Sequence, residues 1–312
     1  MQKSIASFFK PASPIRRRNR RPKFVDLFCG IGGASIGATQ AGFDVVLAVD
    51  SWDDAIKTHR KNHPTARHVC AILPTREPLK LPKAGEEWHL HGSPPCTKLS
   101  QANIPRDADE LEDGLETVRW YIDFALNSSA TSWSMENVAS PPVMELLASY
   151  RAPNAPHRNR IAYAVVRFED HGLPTMRRRV LVGSPSIIAR FLRQPKVHRC
   201  VRDVIPEPRG SHTRGEVHWS GSGDVYTHYG PNDACRSIDL PSIAITARHT
   251  VSWATPNSGI KLKKFNIQET MALQTFPADY CIPLTLQHTI RGLGNSFPPC
   301  IAKRFFSFIQ EM

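Results

Sequence analysis

A cysteine that follows two prolines is the most chemically suggestive feature of this 312-residue chain. The segment Gly92-Ser93-Pro94-Pro95-Cys96 comes directly after a short apolar run. The prolines fix the backbone and remove two amide donors, so neither a helix nor a paired strand continues through them. Cys96 is thereby expected on a rigid turn at a strand end, which suits a nucleophilic thiolate. Most free cysteines are buried packing residues, so the other motifs must decide its role.

Charged residues at the ends of other predicted strands can complete a site around this cysteine. Glu136 lies at the C-terminal end of the predicted strand TSWSMEN. Ligands of an open α/β sheet bind outside the carboxyl ends of its strands, so we expect Cys96 and Glu136 to face one pocket. Three arginines precede another predicted strand, and strand alternation puts Arg177 and Arg179 on one face and Arg178 on the other.

The beginning of the chain body has the pattern of a nucleotide-binding unit. The strand KFVDLF is followed by a glycine-rich turn at 29–33 and a helical segment, so backbone amides and a helix N-terminus can face a ligand. The glycines lack the full dinucleotide-binding spacing. Asp50 ends the second predicted strand, where a carboxylate can bind two ribose hydroxyls. Trp52 can cover an adenine ring. The alternatives are a helix cap for Asp50 and core packing for Trp52.

The order of predicted elements indicates an α/β fold, with a mostly parallel twisted sheet flanked by helices. Residues 24–185 form the expected core, and 256–312 return to it. Residues 186–255 are rich in Pro, Gly, His, Ser and Arg without a helical period, which predicts a small loop-rich domain that contacts a polymer. A disordered insertion is the alternative. The polar segment 97–114 is expected to be a mobile active-site loop.

The charge of the chain is unevenly distributed. Of the net charge of +12, +8 lies in residues 1–23, which contain no acid, and this indicates an acidic partner such as nucleic acid. The seven cysteines are scattered and form no CxxC pair, so we expect reduced thiols and no metal site. No apolar run is long enough to span a membrane.

The basic tail, 1–23, is expected to be disordered and contains two short motifs. Gln2, Ile5, Phe8 and Phe9 form the pattern Q-x-x-I-x-x-F-F, which resembles the peptide by which replication and repair proteins bind the sliding clamp (PCNA). In that peptide the apolar side chains of one helical turn enter a hydrophobic pocket. The basic run at 16–23 resembles a nuclear-import signal, and an arm that binds DNA phosphates is the alternative.

Six motifs in order resemble those of the cytosine-5 DNA methyltransferases. They are DLFCGIGG, the acidic end of VVLAVD, GSPPC, ENV, the arginines at 177–179, and GNSFPP, and they extend from Phe24 to Ala302. The resemblance implies a Rossmann-like methyltransferase fold, with 24–185 and 256–312 as the catalytic domain and 186–255 as the target-recognition domain. It also implies S-adenosylmethionine as the cofactor and a flipped-out cytosine of duplex DNA as the substrate. We expect a monomer, located in the nucleus or at another intracellular site of replication such as a viral factory.

The resemblance also assigns roles to individual residues. It makes Cys96 the nucleophile that attacks carbon-6, places Glu136 against nitrogen-3 and the exocyclic amine, and gives Arg177 and Arg179 the task of holding the base. Thr97 and Ser100 would contact DNA. The residues implied to form the cofactor site are Phe28, Gly30, Ile31, Gly33, Asp50, Trp52, Ile72, Pro95, Asn295 and Ser296.

Four positions depart from the family pattern. Ala71 stands where an aspartate usually contacts adenine, Thr97 and Thr175 replace glutamines, and Ala272 replaces an arginine. No catalytic group is lost. Two alternatives remain: the same chemistry on tRNA, which one branch of the family performs, and a non-catalytic DNA- or clamp-binding protein on a decayed methyltransferase fold.

Overall fold

The computed structural model describes residues 21–95, 108–205, 224–226, 235–247, 251–254, 261–307 and 309. Several predicted site residues lie outside these described ranges: Gln2, Ile5, Phe8, Phe9, Cys96, Thr97 and Ser100. The segment predicted as an active-site loop is described only from residue 108, where a helix already begins. The loop prediction is therefore wrong for 108–114, where a run of acidic residues forms the first turns of that helix.

The strands and helices alternate along most of the chain. The strands are β1 (Lys23–Leu27), β2 (Asp44–Asp50), β3 (Arg67–Cys70), β4 (Trp88–Gly92), β5 (Ser132–Asn137), β6 (Ala162–Arg167), β7 (Thr175–Met176), β8 (Arg178–Gly183), β9 (Asp224–Tyr226), β10 (Cys235–Ser237), β11 (Ser242–Ile243), β12 (Ser252–Ala254) and β13 (Lys261–Lys264). The helices are α1 (Gly33–Gln40), α2 (Asp53–Asn62), α3 (Ala108–Asn127), α4 (Pro141–Tyr150), α5 (Pro185–Leu192), α6 (Val201–Val204), α7 (Ile267–Leu273), α8 (Leu286–Asn295) and α9 (Pro299–Phe306).

The central sheet has seven strands in the order β3-β2-β1-β4-β5-β8-β6. The first five are parallel, β8 runs antiparallel to β5, and β6 runs antiparallel to β8. Parallel neighbours require crossover connections, and α1, α2 and α3 supply those of β1–β2, β2–β3 and β4–β5. The predicted α/β fold with a mostly parallel sheet flanked by helices is confirmed.

Both faces of the sheet are covered by helices. On one face, Leu27 and Leu90 pack with Tyr121 of α3 and Leu147 of α4. On the opposite face, the apolar cluster around Phe24 receives side chains of α1, α5 and α9. This two-sided burial explains the nearly continuous apolar runs of β1 and β2.

The C-terminal segment returns to the beginning of the fold by packing α9 against α1. A Cβ atom at Gly33 would lie 2.2 Å from the carbonyl oxygen of Phe297, and one at Gly37 would lie 2.3 Å from the Cβ of Ala302. Glycine at these two positions allows a close approach that a side chain would prevent. The return brings the turn before α9 to the carboxyl edge of the sheet.

A smaller unit follows α5. Its antiparallel sheet has the order β10-β9-β12-β13, and an apolar cluster beside it includes Val201, Ile238, Phe265 and Leu273. Helix α5 instead packs on the central sheet through Ile187 and Phe191. The limits of a recognition domain at 186–255 therefore remain a prediction, with α5 belonging structurally to the larger core.

Three further properties concern the helices, the cysteines and the metal-ligating side chains among the described residues. No helix among them has the length and apolarity needed to cross a membrane. Five of the cysteines, at positions 29, 70, 200, 281 and 300, are free thiols. These residues also contain no group of three or more His, Cys, Asp or Glu side chains that could hold a metal ion.

The contact between α1 and α9 leads to a first prediction. Gly33→Ala should lower the free energy of unfolding by about 1–3 kcal/mol, because the added methyl group overlaps the Phe297 carbonyl. Urea denaturation measures the change. Gln40→Ala, on an exposed position of the same helix, is the control and should have little effect. Equal stabilities of the Gly33→Ala variant and the original chain would contradict the close packing.

Candidate active site

One cavity lies at the carboxyl edge of the sheet, where β1, β2, β4 and β5 end. Its volume is about 250 Å³. The return segment before α9 closes one side of it. The residues that line it are Asp26, Phe28, Cys29, Gly30, Ala34, Asp50, Ser51, Trp52, Ser93, Pro94, Pro95, Glu136, Asn137, Val138, Arg177, Arg179, Arg291, Gly292, Gly294, Asn295, Ser296 and Phe297.

An ion pair occupies the wall formed by β5 and β8. Arg179 Nε lies 3.0 Å from Glu136 Oε1, and the two side chains are 20% and 6% exposed. The pair is not aligned as a hydrogen bond, and Glu136 Oε1 is buried without a hydrogen-bond partner among the described residues. A buried carboxylate of this kind requires its cation, because removal of the arginine would leave an uncompensated charge.

The proline turn before Cys96 is fixed beside the same strand. The Ser93 amide donates to the Leu27 carbonyl at 3.2 Å, and Asn137 Nδ2 donates to the Pro94 carbonyl at 3.3 Å. Asn137 Oδ1 in turn accepts from the Val138 amide at 2.7 Å. Pro95, the last residue described before Cys96, lines the cavity. The chain therefore enters the segment of Cys96 next to the strand that carries Glu136.

The two predicted arginines contact different parts of the site. Arg177 is only 3% exposed, and its guanidinium donates to the carbonyls of Gly294 and Ser296 at 2.8 and 3.2 Å. Arg179 instead faces Glu136. Arg178 is exposed, as strand alternation predicts. Arg177 thus fixes the turn of the return segment, and Arg179 sets the charge next to the carboxylate.

Asp50 organises the glycine-rich turn. Its two carboxylate oxygens accept the amides of Gly30 and Trp52, each at 2.8 Å. Burial raises the pKa of Asp50, and these backbone hydrogen bonds oppose that rise. Phe28 and Gly30 have positive φ angles of 59° and 52°, and a Cβ at Gly30 would meet no atom within 4 Å. The turn therefore exposes backbone to the cavity next to a carboxylate.

Trp52 lies at the rim with a cation above its ring. The Arg291 guanidinium carbon is 4.7 Å from the ring centroid, a cation–π distance. His288 contacts Trp52 edge-on at 5.6 Å and pairs with Asp54 at 2.9 Å. The indole is therefore held in a fixed orientation by α8.

Sequence reasoning missed two charged residues of the cavity, Asp26 and Arg291. Asp26 is 1% exposed and accepts from Ser35 Oγ at 2.6 Å, and burial raises its pKa to about 7. Its place within DLFCGIGG offered a signal. Arg291 has no motif of its own that could have revealed it.

The structure brings together most of the predicted cofactor residues. Those that line the cavity are Phe28, Gly30, Asp50, Trp52, Pro95, Asn295 and Ser296. Ile31 is instead buried in an apolar cluster with Met271 and Leu293, and Gly33 faces Phe297. Ile72 is 77% exposed and is not among the lining residues.

Known proteins share both the sequence pattern and the fold. Residues 22–143 match the family model for C-5 cytosine-specific DNA methylases. The chain is 27% identical over 305 residues to the type II methyltransferase M.HgiDI of Herpetosiphon aurantiacus, covering 90% of this chain and 91% of that protein. It is 35% identical over 102 residues to the type II methyltransferase M.HgiGI of the same organism, covering 33% and 76%.

Solved structures with the same fold cover almost the whole chain. A putative DNA modification methyltransferase encoded within an E. coli prophage superposes with a TM-score of 0.64 at 21% identity, over 93% of this chain and 99% of that one. The Dnmt2 methyltransferase of S. pombe gives a TM-score of 0.57 at 16% identity, with the same coverage. From its sequence relatives, its fold and its motif order, the chain belongs to the C-5 cytosine-specific DNA methylase family, whose members are DNA cytosine-5 methyltransferases with S-adenosylmethionine as methyl donor.

Proposed function

We propose that this methyltransferase acts on a cytosine flipped out of duplex DNA, with Cys96 as the nucleophile and Glu136 as the group that binds ring nitrogen-3. The observation that carries the proposal is the shared cavity edge. Glu136, paired with Arg179, lies beside the turn that leads directly into Cys96. A thiol and a carboxyl group that reach one cavity are the two groups that addition to a pyrimidine ring requires.

The chemistry explains why both groups are needed. Cytosine carbon-5 is too weakly nucleophilic to accept a methyl group unaided. Addition of the Cys96 thiolate to carbon-6 makes the ring enamine-like, and the Glu136 carboxyl favours this addition by hydrogen bonding or protonating nitrogen-3. The Arg179 cation offsets charge that develops on the ring.

The residues around the cavity fit S-adenosylmethionine, which when bound supplies an electrophilic methyl group. Asp50 ends β2 and can take the ribose hydroxyls. The indole of Trp52 offers a flat apolar surface for adenine, and the open backbone at Gly30 allows close approach. Asn295 and Ser296 close the opposite side, where Arg177 holds their turn in place.

Burial of Glu136 supports extrusion of the base. Its side chain is only 6% exposed, so an aromatic ring must enter the cavity to reach it. A cytosine stacked in a duplex presents neither nitrogen-3 nor carbon-6 to such a recessed group. Extrusion costs about a few kcal/mol of stacking and pairing energy, which contacts to the flipped base and flanking DNA must offset.

The proposal extends to the basic tail. Gln2, Ile5, Phe8 and Phe9 would bind the sliding clamp, and a tether of this kind raises the local enzyme concentration on newly replicated duplex without new DNA contacts. The support is the residue pattern itself. The basic run at 16–23 would direct nuclear import, which suits a clamp-associated enzyme.

The carboxylate assignment and the nucleic-acid substrate can be tested together. Glu136→Gln should lower the rate of methyl transfer to duplex DNA about a hundredfold or more, because the amide cannot protonate nitrogen-3. Radiolabelled S-adenosylmethionine reports transfer to duplex DNA and to tRNA in parallel, and calorimetry reports cofactor binding, which should persist.

Glu145→Gln is the matched control, since Glu145 is exposed on α4; its activity should equal that of the original chain. Methyl transfer to tRNA in preference to duplex DNA would contradict the substrate assignment. Cofactor binding without transfer to either acceptor would support the decayed-enzyme alternative.

The clamp tether predicts a loss of binding without a loss of catalysis. Phe8→Ala combined with Phe9→Ala should abolish binding to purified clamp, because both aromatic anchors are removed. Activity on short duplexes should not change. Surface plasmon resonance measures the binding, and Ser4→Ala with Ser7→Ala is the control within the same segment. Clamp binding that survives the double phenylalanine substitution would contradict the assignment.

A further inference from the structure

A row of buried polar side chains runs along one face of the neighbouring strands β4 and β5, within the apolar core. Parallel pairing sets His89 beside Ser132 and His91 beside Ser134, and Ser93 follows two residues after His91. His89, His91 and Ser134 have no exposed surface, and Ser132 is 6% exposed. We call this row the histidine–serine ladder; its five members are His89, His91, Ser93, Ser132 and Ser134.

The ladder is hydrogen-bonded from end to end. His89 Nδ1 lies 2.8 Å from Ser132 Oγ, and His89 Nε2 lies 2.8 Å from Ser134 Oγ. His91 Nδ1 is 2.8 Å from the same Ser134 Oγ, and His91 Nε2 is 3.3 Å from Ser93 Oγ. A neutral imidazole donates at one nitrogen and accepts at the other, and a hydroxyl does both. The donors of all the hydrogen bonds in the ladder can therefore point toward Ser93 or toward Ser132, as a proton relay requires.

The two ends of the ladder open into different cavities. Ser93 lines the catalytic cavity. Ser132 lines a second cavity of about 390 Å³ at the opposite, amino edge of the sheet, together with Phe43 and Ile309. Four residues of extended strand separate the levels of His89 and Ser93, so the path is about 13 Å long. The ladder thus runs along the sheet from the catalytic cavity at one edge to the second cavity at the other.

Aromatic rings insulate the ladder along its length. Phe24 stacks on His89 and His91 at 5.6 and 6.1 Å, and Phe297 stacks on His91 at 5.4 Å. Phe306 contacts both histidines. Burial lowers the pKa of His91 to about 3 and that of His89 well below its usual value, so both rings are neutral. Apolar residues would fill this layer without the cost of desolvating polar groups, so packing alone does not account for it.

The methylation reaction supplies a proton that must leave the catalytic cavity. In the mechanism proposed above, carbon-5 carries both the new methyl group and its original hydrogen. The C5–H bond breaks, its electron pair forms the C5=C6 double bond, and the C6–S bond breaks to return the thiolate of Cys96. One proton is released into the cavity for each methyl group transferred.

We propose that the histidine–serine ladder conducts this proton from the catalytic cavity to the second cavity. Water beside Ser93 accepts the proton from carbon-5 and passes one to the Ser93 hydroxyl. Each ladder residue then accepts one proton and donates another, and Ser132 releases the last to water in the second cavity. Each ring ends with its proton on the other nitrogen, and hydroxyl rotation with tautomer exchange resets the ladder between turnovers.

The test separates methyl transfer from elimination in one turnover. Rapid-quench sampling with labelled S-adenosylmethionine follows methyl incorporation, and denaturing gels follow the covalent protein–DNA adduct. Ser134→Ala and Ser132→Ala should leave methyl incorporation unchanged and slow the loss of the adduct about tenfold or more. Ser132 is the decisive position, because it lies at the far end of the ladder and cannot contact the substrate.

Tyr121→Phe is the matched control. It removes a buried hydroxyl that donates at 2.7 Å to the backbone carbonyl of Ser134, outside the ladder, and its elimination rate should equal that of the original chain. Thermal unfolding establishes that each variant is folded. If Ser134→Ala does not fold, the rate of adduct loss in Ser132→Ala alone tests the proposal.

Three results would overturn the ladder proposal. One is adduct loss at the original rate in Ser132→Ala. Another is equal slowing of both steps, which indicates a structural role. The third is slow elimination in Ser35→Ala instead, which would direct the proton through Asp26, Ser35 and His59. The proposal rests on the methyltransferase mechanism, and failure of the original chain to form methylcytosine would contradict that mechanism separately.

Discussion

The hydrogen bond from Asn137 to the Pro94 carbonyl is the contact on which the site depends. Two successive prolines have no amide hydrogens, so they cannot donate the backbone hydrogen bonds by which a strand would hold the turn that leads to Cys96. A side-chain amide from the neighbouring strand instead holds the turn by donating to the Pro94 carbonyl. Because Asn137 directly follows Glu136, the same residue pair that presents the carboxylate also fixes the cysteine turn. One short stretch of β5 therefore carries the Glu136 carboxyl group and also fixes the proline turn at Pro94.

The C-terminal return supplies a second constraint. Arg177 is buried at the start of β8 and donates to the carbonyls of Gly294 and Ser296. Gly33 lets the residue that follows this turn approach the first helix of the fold. Residues from the two ends of the described core therefore form opposite walls of one cavity. A guanidinium engaged with two backbone carbonyls acts here by positioning the wall, whereas Arg179 is the cation next to Glu136.

Local pattern was sufficient to predict the sheet and much of the cavity. Apolar strands followed by glycine or acidic residues place Gly30, Asp50 and Glu136 at carboxyl ends, and parallel pairing then brings these ends to one edge. The orientation of other residues in the glycine-rich turn depends on tertiary packing, which the local sequence pattern does not reveal. Ile31 turns into an apolar cluster, and Gly33 faces Phe297 because α9 packs there. The orientation of a residue within a glycine-rich turn depends on partners more than two hundred residues away, which spacing does not encode.

The ladder and Arg291 illustrate a second limit. Alternation predicts that His89 and His91 share a face, but only strand order sets Ser132 and Ser134 beside them. Arg291 reaches Trp52 because α8 crosses the rim of the cavity, and no local motif marks this contact. Polar residues in apolar strands are therefore informative only when the neighbouring strand is known.

The central claim is that this protein methylates cytosine in duplex DNA, and that the reaction takes place at the cavity edge that contains Glu136 and the turn to Cys96. Bisulfite sequencing of plasmid DNA from bacteria that express the chain tests it most directly, beside a Cys96→Ser control. The account predicts conversion-resistant cytosines in one short sequence context, absent from the control, because the serine hydroxyl is a far weaker nucleophile than a thiolate. Complete conversion in cells that contain the folded protein, or equal protection by Cys96→Ser, would contradict it.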